Sequence, residues 1–189
     1  MYDTSDIRKN LKFILDSVPV VVVEFQFVKP GKGQAFTRTK LRNMLTGTML
    51  ERTFKQGEKF EKADMEERQQ QFLYPEGDKF VFMDTKSYDQ LYLSGDQLGE
   101  ARYFIQDGMM VDVLFWNERP IGVTPPTFVE LKIVETEPGF KGDTANNVMK
   151  PAKCSTGVVV PVPIFINQGD WIRIDTRTGE YAERVAKTR

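Results

Sequence analysis

The chain has 189 residues, with 26 Lys+Arg against 27 Asp+Glu for a net charge of −1, 40% apolar and 28% charged residues, a globular composition too apolar for a disordered chain. It contains no histidine, which excludes Ser-His-Asp and Cys-His catalysis and any His-ligated zinc site. One cysteine, Cys154, excludes an internal disulfide and a paired-cysteine metal site, and fits a reducing cytosol.

The start, Met1-Tyr-Asp-Thr-Ser-Asp, is polar and acidic, so no secretory signal is expected there. The apolar run Val18–Val23 is broken by Pro19 and far too short to span a bilayer. Val18 to Val28 is β-branched and aromatic, and apolar residues alternate from Val21 onward, which predicts a strand. Lys29-Pro-Gly-Lys-Gly-Gln34 is a Gly/Pro loop, and the Thr-rich alternation of Ala35 to Arg42 predicts the returning strand of a hairpin. A turn at Leu45-Thr-Gly47 leads to a strand over Thr48–Phe54. The segment Gln56–Gln70 is polar with few apolar anchors, and a first domain boundary is placed there.

The middle third opens on Gln71-Phe-Leu-Tyr, the turn Pro75-Glu-Gly-Asp78 and Phe80-Val-Phe-Met-Asp84, a second hairpin. Ser94 or Asp96 would cap one short helix. Met110–Trp116, the turn Asn117-Glu-Arg-Pro120 and Ile121-Gly-Val make a third hairpin. Thr124-Pro-Pro126 is stiff and foreign to a central strand, so the second boundary falls there. Phe128–Val134 is a strand with Phe128, Leu131 or Val129 inward, followed by a polar loop from Glu135 to Lys150. Strands over 157–166, Trp171–Asp175 and Tyr181–Val185 complete the chain. Short strands with turns at regular spacing predict an all-β protein of three small barrels, over residues 1–64, 65–127 and 128–189. Each would be marginal alone, because a domain of about 60 residues buries only about 60% of its unfolded surface.

Charge is segregated among these segments. Residues 1–64 hold 12 basic and 8 acidic side chains, residues 65–127 hold 5 and 11, and residues 128–189 hold 9 and 8. Such a chain can present one basic face to a polyanion. From Lys29 to Arg42 there are five cations and no acid. Arg38, Lys40 and Arg42 recur at every second residue and so share one strand face. They form a cationic stripe suited to a nucleic-acid backbone, though half-exposed strands carry such residues without any partner.

Lys32 lies between Gly31 and Gly33, just after Pro30. Glycine removes bulk and permits positive φ, and proline stiffens the approach, so this is a lysine on a narrow stalk able to enter a crevice. The plain alternative is a hairpin turn with a solvent lysine. No P-loop is present, since GxxxxGK[ST] is missing. A Schiff-base role for Lys32 is disfavoured, because it needs a desolvated pocket or a neighbouring cation.

Val28-Lys-Pro-Gly-Lys-Gly-Gln-Ala-Phe36, with Lys40-Leu-Arg and Leu45-Thr-Gly-Thr48 behind it, closely resembles bacterial elongation factor P. Lys150-Pro-Ala followed by Gly157, Val160, Val162-Pro163, Ile166 and Gly169 matches that family's C-terminal signature. Val123-Thr-Pro-Pro126 and Pro138-Gly-Phe-Lys-Gly-Asp-Thr-Ala145 are also similar to family segments. The resemblance covers essentially the whole chain.

The resemblance implies an L shape similar to tRNA, built from an SH3-like, KOW-type first domain and two OB-type domains. It implies binding between the ribosomal P and E sites, contacting both subunits, beside peptidyl-tRNA, with stimulation of peptide-bond formation where consecutive prolines stall the ribosome. Lys32 falls on the family's modified residue, within the tip loop Lys29, Pro30, Gly31, Gly33 and Gln34. Its modification would be a β-lysyl, hydroxylated β-lysyl or aminopentanol group, attached by a partner enzyme. The archaeal and eukaryotic relative, initiation factor five A, carries hypusine at the equivalent tip. Gly142, Asp143 and Thr144 fall on a loop that approaches E-site mRNA. Tyr181 and Arg184 match positions linked to tRNA or small-subunit contact. The reading includes no catalytic residue, metal or cofactor, a monomer, no membrane and a cytoplasmic location. The alternative is a general single-stranded RNA-binding OB protein, using Phe80, Phe82, Trp116 and Trp171 for stacking, although core packing explains alternating aromatics equally well.

Overall fold

The structure is a computed structural model describing residues 1–139 and 148–187. It is almost entirely antiparallel sheet. The first sheet comprises β1 (Tyr2–Asp3), β2 (Lys12–Leu15), β3 (Val18–Val28), β4 (Phe36–Asn43), β5 (Met49–Lys55) and β6 (Lys59–Lys62), in the order β1-β6-β2-β3-β4-β5. Its core joins Val20 and Val22 to Phe13, Leu41, Phe54 and Phe60. Val21 points the other way and packs with Met44, Leu114 and Ile121. This stretch of β3 is therefore buried on both faces, which is why its sequence is a near-continuous valine run. Pairing slips between Val22 and Glu24, and beyond this bulge Glu24 to Phe27 are exposed.

The segment Gln56–Gln70, where the sequence places the first boundary, contains the passage between the first two sheets at 63–65, but it also holds β6 and the start of the next strand. Its anchor is Phe60, which is buried with its ring 4.9 Å from that of Phe13 and 4.7 Å from that of Phe54. One aromatic at an inward position suffices to hold a four-residue strand whose other side chains are charged. The short strands β1 and β2 had no distinct signal in the sequence.

The second sheet comprises β7 (Glu66–Glu76), β8 (Lys79–Met83), β9 (Gln90–Ser94), β10 (Met110–Trp116) and β11 (Arg119–Thr124), in the order β11-β10-β7-β8-β9. A short helix, α1 (Gly95–Leu98), follows β9. Of the two candidate caps, Ser94 is the one used. Its Oγ accepts from the Gln97 N–H at 3.1 Å, while Gln97 Oε1 accepts from the Ser94 N–H at 3.0 Å, a reciprocal capping box.

The third sheet comprises β12 (Phe128–Thr136), β13 (Met149–Cys154), β14 (Val159–Pro163), β15 (Trp171–Asp175) and β16 (Glu180–Val185), in the order β14-β13-β12-β15-β16. On β12 the inward residues are Val129, Leu131 and Ile133, whereas Phe128 is half exposed. Phe128, expected inward, sits at the strand's first position on the opposite face of the pleat. The strand expected over 157–166 ends at Pro163. It is an edge strand, where Pro161 and Pro163 are tolerated because only one side needs backbone donors. Two of the three sheets curl into half-barrels: the edge strands β9 and β11 meet, as do β14 and β16.

The three sheets are joined by side chains that leave their own unit. Phe104, after α1, lies in the core of the third sheet. Gln106 Nε2 donates to the Glu130 carbonyl at 2.9 Å, and Thr176 Oγ1 donates to the Pro126 carbonyl at 2.7 Å. The turn 45–48 docks on α1, where Gln97 Nε2 donates to the Leu45 carbonyl at 3.1 Å.

Candidate functional site

β3 and β4 continue past the core of the first sheet as a hairpin arm, with β5 alongside, and close at the pair Val28↔Phe36. Two buried threonines face inward on the arm, and one of them ties β4 to β5. Thr37 and Thr39 are each only 3% exposed, and Thr39 Oγ1 donates to the Arg52 carbonyl across the β4–β5 pair at 2.7 Å. This explains why a strand so near a loop tip carries threonine at its inward positions, since β-branched side chains fit the pleated surface and the buried hydroxyl of Thr39 finds an acceptor. The tip is thus carried on a three-stranded base.

Residues 29–35 form the tip between the two strands. Lys29, Gly31, Lys32, Gly33 and Gln34 are exposed, Pro30 is partly covered, and Ala35 is buried. Gly33 has φ +107, a conformation that side chains with a Cβ resist. A Cβ at Gly31 would meet nothing within 4 Å. The two glycines therefore differ: Gly33 lets the chain turn, and Gly31 keeps one side of Lys32 free of bulk. Lys32 stands at the end of the arm with no carboxylate within ion-pair distance among the described residues.

Arg38, Lys40 and Arg42 do share one face of β4, but their surroundings diverge. Arg38 is exposed, with its guanidinium 5.4 Å from the centre of the Phe36 ring. Lys40 is exposed and paired with Glu24 at 3.1 Å, which holds its pKa above the ordinary lysine value. An exposed pair of this kind is worth little and is readily exchanged for another anion. Arg42 is partly buried and turned toward the second sheet. A Cβ built on Gly99 would lie 1.4 Å from Arg42 Nη1, so the guanidinium lies directly against that glycine. Its Nε is buried and makes no hydrogen bond. The stripe thus offers Arg38 and Lys40 to a partner, while Arg42 sits at the junction between sheets. Alternation along β4 reveals which residues share a face, but not that one end of that face meets another domain.

Gly142, Asp143 and Thr144 lie outside the described residues. Tyr181 is partly buried against the third core. Arg184 is exposed, its guanidinium 5.7 Å from the centre of the exposed Phe165 ring. Of the aromatics considered for stacking, Phe82 is fully buried. Phe80 packs partly covered against Phe72 in the second core, and Trp116 lies partly covered beside the Val21–Ile121 cluster. Trp171 is partly covered, with Lys187 Nζ 4.2 Å from its ring centre. The exposed aromatics of the arm are Phe25 and Phe27, at 47% and 62%. The sequence places them in a strand but does not reveal their exposure: the bulge after Val22 sets them opposite Thr39 and Thr37, on the face of Leu41, where the arm has run past the first core.

No cluster of three or more metal-ligating side chains occurs among the described residues, and no helix there is long and apolar enough to cross a membrane. Family models match the chain in three consecutive stretches. Residues 3–60 match the elongation factor P KOW-like domain, residues 65–123 the elongation factor P OB domain, and residues 129–184 the elongation factor P C-terminal domain. The chain belongs to the elongation factor P family. It is 52% identical over 185 residues to elongation factor P of Thermoanaerobacter sp., covering 98% of this chain and all of that one. It is 50% identical over 187 residues to elongation factor P of Bdellovibrio bacteriovorus, covering 99% of this chain and all of that one. It is likewise 50% identical over 185 residues to the protein of Desulfotalea psychrophila, covering 98% and 99% of the two chains. Eukaryotic translation initiation factor 5A from Methanococcus jannaschii aligns with a TM-score of 0.46 and 22% identity, covering 66% of this chain and 91% of that one, a likeness too loose to carry an argument. Elongation factor P proteins are translation factors that work with the ribosome, and not enzymes.

Proposed function

We propose that this translation elongation factor binds the ribosome between the P and E sites and positions P-site peptidyl-tRNA through Lys32, relieving stalls at consecutive prolines. The observation that carries the reading is an exposed lysine at the end of a braced three-stranded arm, with Gly31 and Gly33 on either side. Proline is a poor substrate for peptide-bond formation because its ring constrains the backbone. Ordering the reacting ends lowers the entropic part of the barrier, and held geometry contributes up to about 7–11 kcal/mol in favourable intramolecular cases. A bare lysine extends a compact charge on only four methylenes. An amine-bearing group added to Lys32, β-lysyl, hydroxylated β-lysyl or aminopentanol, would lengthen that reach and set cationic donors near the backbone at the tRNA end. Phosphate contacts there fix position without reading sequence. Arg38 and Lys40 would steady the arm on RNA, and Gly142, Asp143 and Thr144 would approach E-site mRNA, with Tyr181 and Arg184 near tRNA or the small subunit. The factor acts as a cytoplasmic monomer, contacts both subunits and depends on a lysine-modifying enzyme.

The general RNA-binding alternative loses its basis in Phe82, whose ring is wholly inside the second core. Mass spectrometry of the 29–38 peptide, combined with co-sedimentation on ribosomes holding peptidyl-prolyl-tRNA, tests the proposal. It predicts an added mass on Lys32 in protein from its own cell and preference for the stalled ribosome. An unmodified lysine together with equal binding to naked RNA would contradict it. Asp143→Ala should reduce rescue of polyproline synthesis at unchanged thermal stability; full rescue would return that loop to a plain turn.

A further inference from the structure

A cleft of about 320 Å³ opens where all three sheets meet. Its apolar floor includes Val21, Met44, Leu98, Phe104, Leu114 and Val123. Four cations line it, Lys9, Lys12 and Arg42 from the first domain and Arg177 from the third, against one carboxylate, Glu100. Two of the four are already paired: Lys9 lies 3.5 Å from Glu100, and Arg177 lies 2.8 Å from Asp175. Lys12 and Arg42 have no carboxylate within ion-pair distance among the described residues. Glu67 acts on Lys12 and Glu100 on Arg42 only from further away, and burial disfavours the charge of both cations. Arg42 also repels Lys12, and Arg102 repels Arg42.

Keeping two like charges together over an apolar floor is costly unless a counter-charge joins them. The size of the cleft, its apolar floor and its few convergent polar groups are those of a small-ligand site. We propose that this junction binds a free phosphate-bearing ligand of mononucleotide size, its flat body against the apolar floor and its phosphate beside Lys12 and Arg42. The site is separate from the Lys32 tip. Because residues of all three domains line it, an occupant would also restrain their relative positions.

The test is calorimetric titration of the full chain with AMP, ADP and pyrophosphate, alongside a short single-stranded RNA. The wild type should bind AMP or ADP saturably at one site. Lys12→Gln, which keeps the polar stem, should weaken binding about tenfold, as expected for losing one charge-assisted partner. Arg177→Gln should weaken it less, and Arg38→Gln, on the arm, should leave it unchanged. Amide shift changes on adding ADP should appear in residues of all three domains around the cleft. Absence of saturable binding of both AMP and ADP, with or without pyrophosphate binding, would overturn the proposal. So would an affinity indifferent to Lys12→Gln, shifts confined to the arm, or binding of the RNA alone. Circular dichroism melts of each variant separate lost binding from lost fold.

Discussion

Lys32 and Cys154 are opposite extremes of what one side chain can be in this molecule. Lys32 sits in the open and has little to do with stability. Cys154 is fully buried in the third core, and burial pushes its thiol pKa up to about 11. The thiolate is the reactive form, so Cys154 should resist thiol reagents at neutral pH in the native state and react once unfolded; rapid native labelling would contradict its burial. The same shift sets a pH dependence. Above the ordinary thiol value of 9.0 the unfolded chain loses this proton while the native chain keeps it until about 11. Stability should therefore fall with rising pH across that window, by about 1.4 kcal/mol per pH unit from this group. The slope difference between wild type and Cys154→Ala in urea melts from pH 8 to 11 measures it. Lys32 was legible in the sequence because glycine and proline mark a tip by their own backbone properties. The fate of Arg42 was not, because strand alternation places it on a face without saying what that face meets.

At the level of elements, the hairpins around β3–β4, β7–β8 and β10–β11 were legible because two β-rich runs flank a Gly, Pro or Asn turn. Less legible were elements with a single apolar anchor, such as β6 with Phe60, and those that run past their core, such as the Phe25–Phe27 end of β3. The turn at Leu45-Thr-Gly47 shows a further limit. Gly47 has φ +79, and a Cβ there would lie 2.5 Å from Asp96 Cβ and 2.7 Å from the Asp96 carbonyl carbon. This glycine is needed both for the turn and for close approach of the first domain to α1, and only the turn was visible in the sequence. Backbone does not yield as a flexible side chain would, so Gly47→Ala should cost at least about 1–3 kcal/mol from the strained conformation alone. It should also loosen the docking of α1. Urea denaturation, with amide exchange at Gln97, checks this; a variant as stable as wild type would show that the turn and α1 can part freely.

Across the whole molecule, three small sheets share side chains instead of standing apart. Val21 and Met44 from the first meet Leu114 and Ile121 from the second, and Phe104 enters the third core. Ile121 is fully buried there, so Ile121→Ala should cost about 2–5 kcal/mol and make the first two domains unfold separately; a single unshifted transition would contradict that coupling. Shared packing of this kind would serve the proposed positional role of Lys32, because an arm places its tip best when its base is held by neighbouring domains. The most direct measurement is reconstituted synthesis of a Pro-Pro-Pro peptide and of a proline-free peptide, with modified wild type, Lys32→Ala and Lys32→Arg. Both variants should keep the wild-type melting temperature, since an exposed tip carries no core packing. Both should lose stimulation of Pro-Pro-Pro synthesis while proline-free synthesis stays unchanged, the arginine variant failing because it keeps the charge but cannot accept the added group. Undiminished Pro-Pro-Pro synthesis with Lys32→Ala would contradict the account.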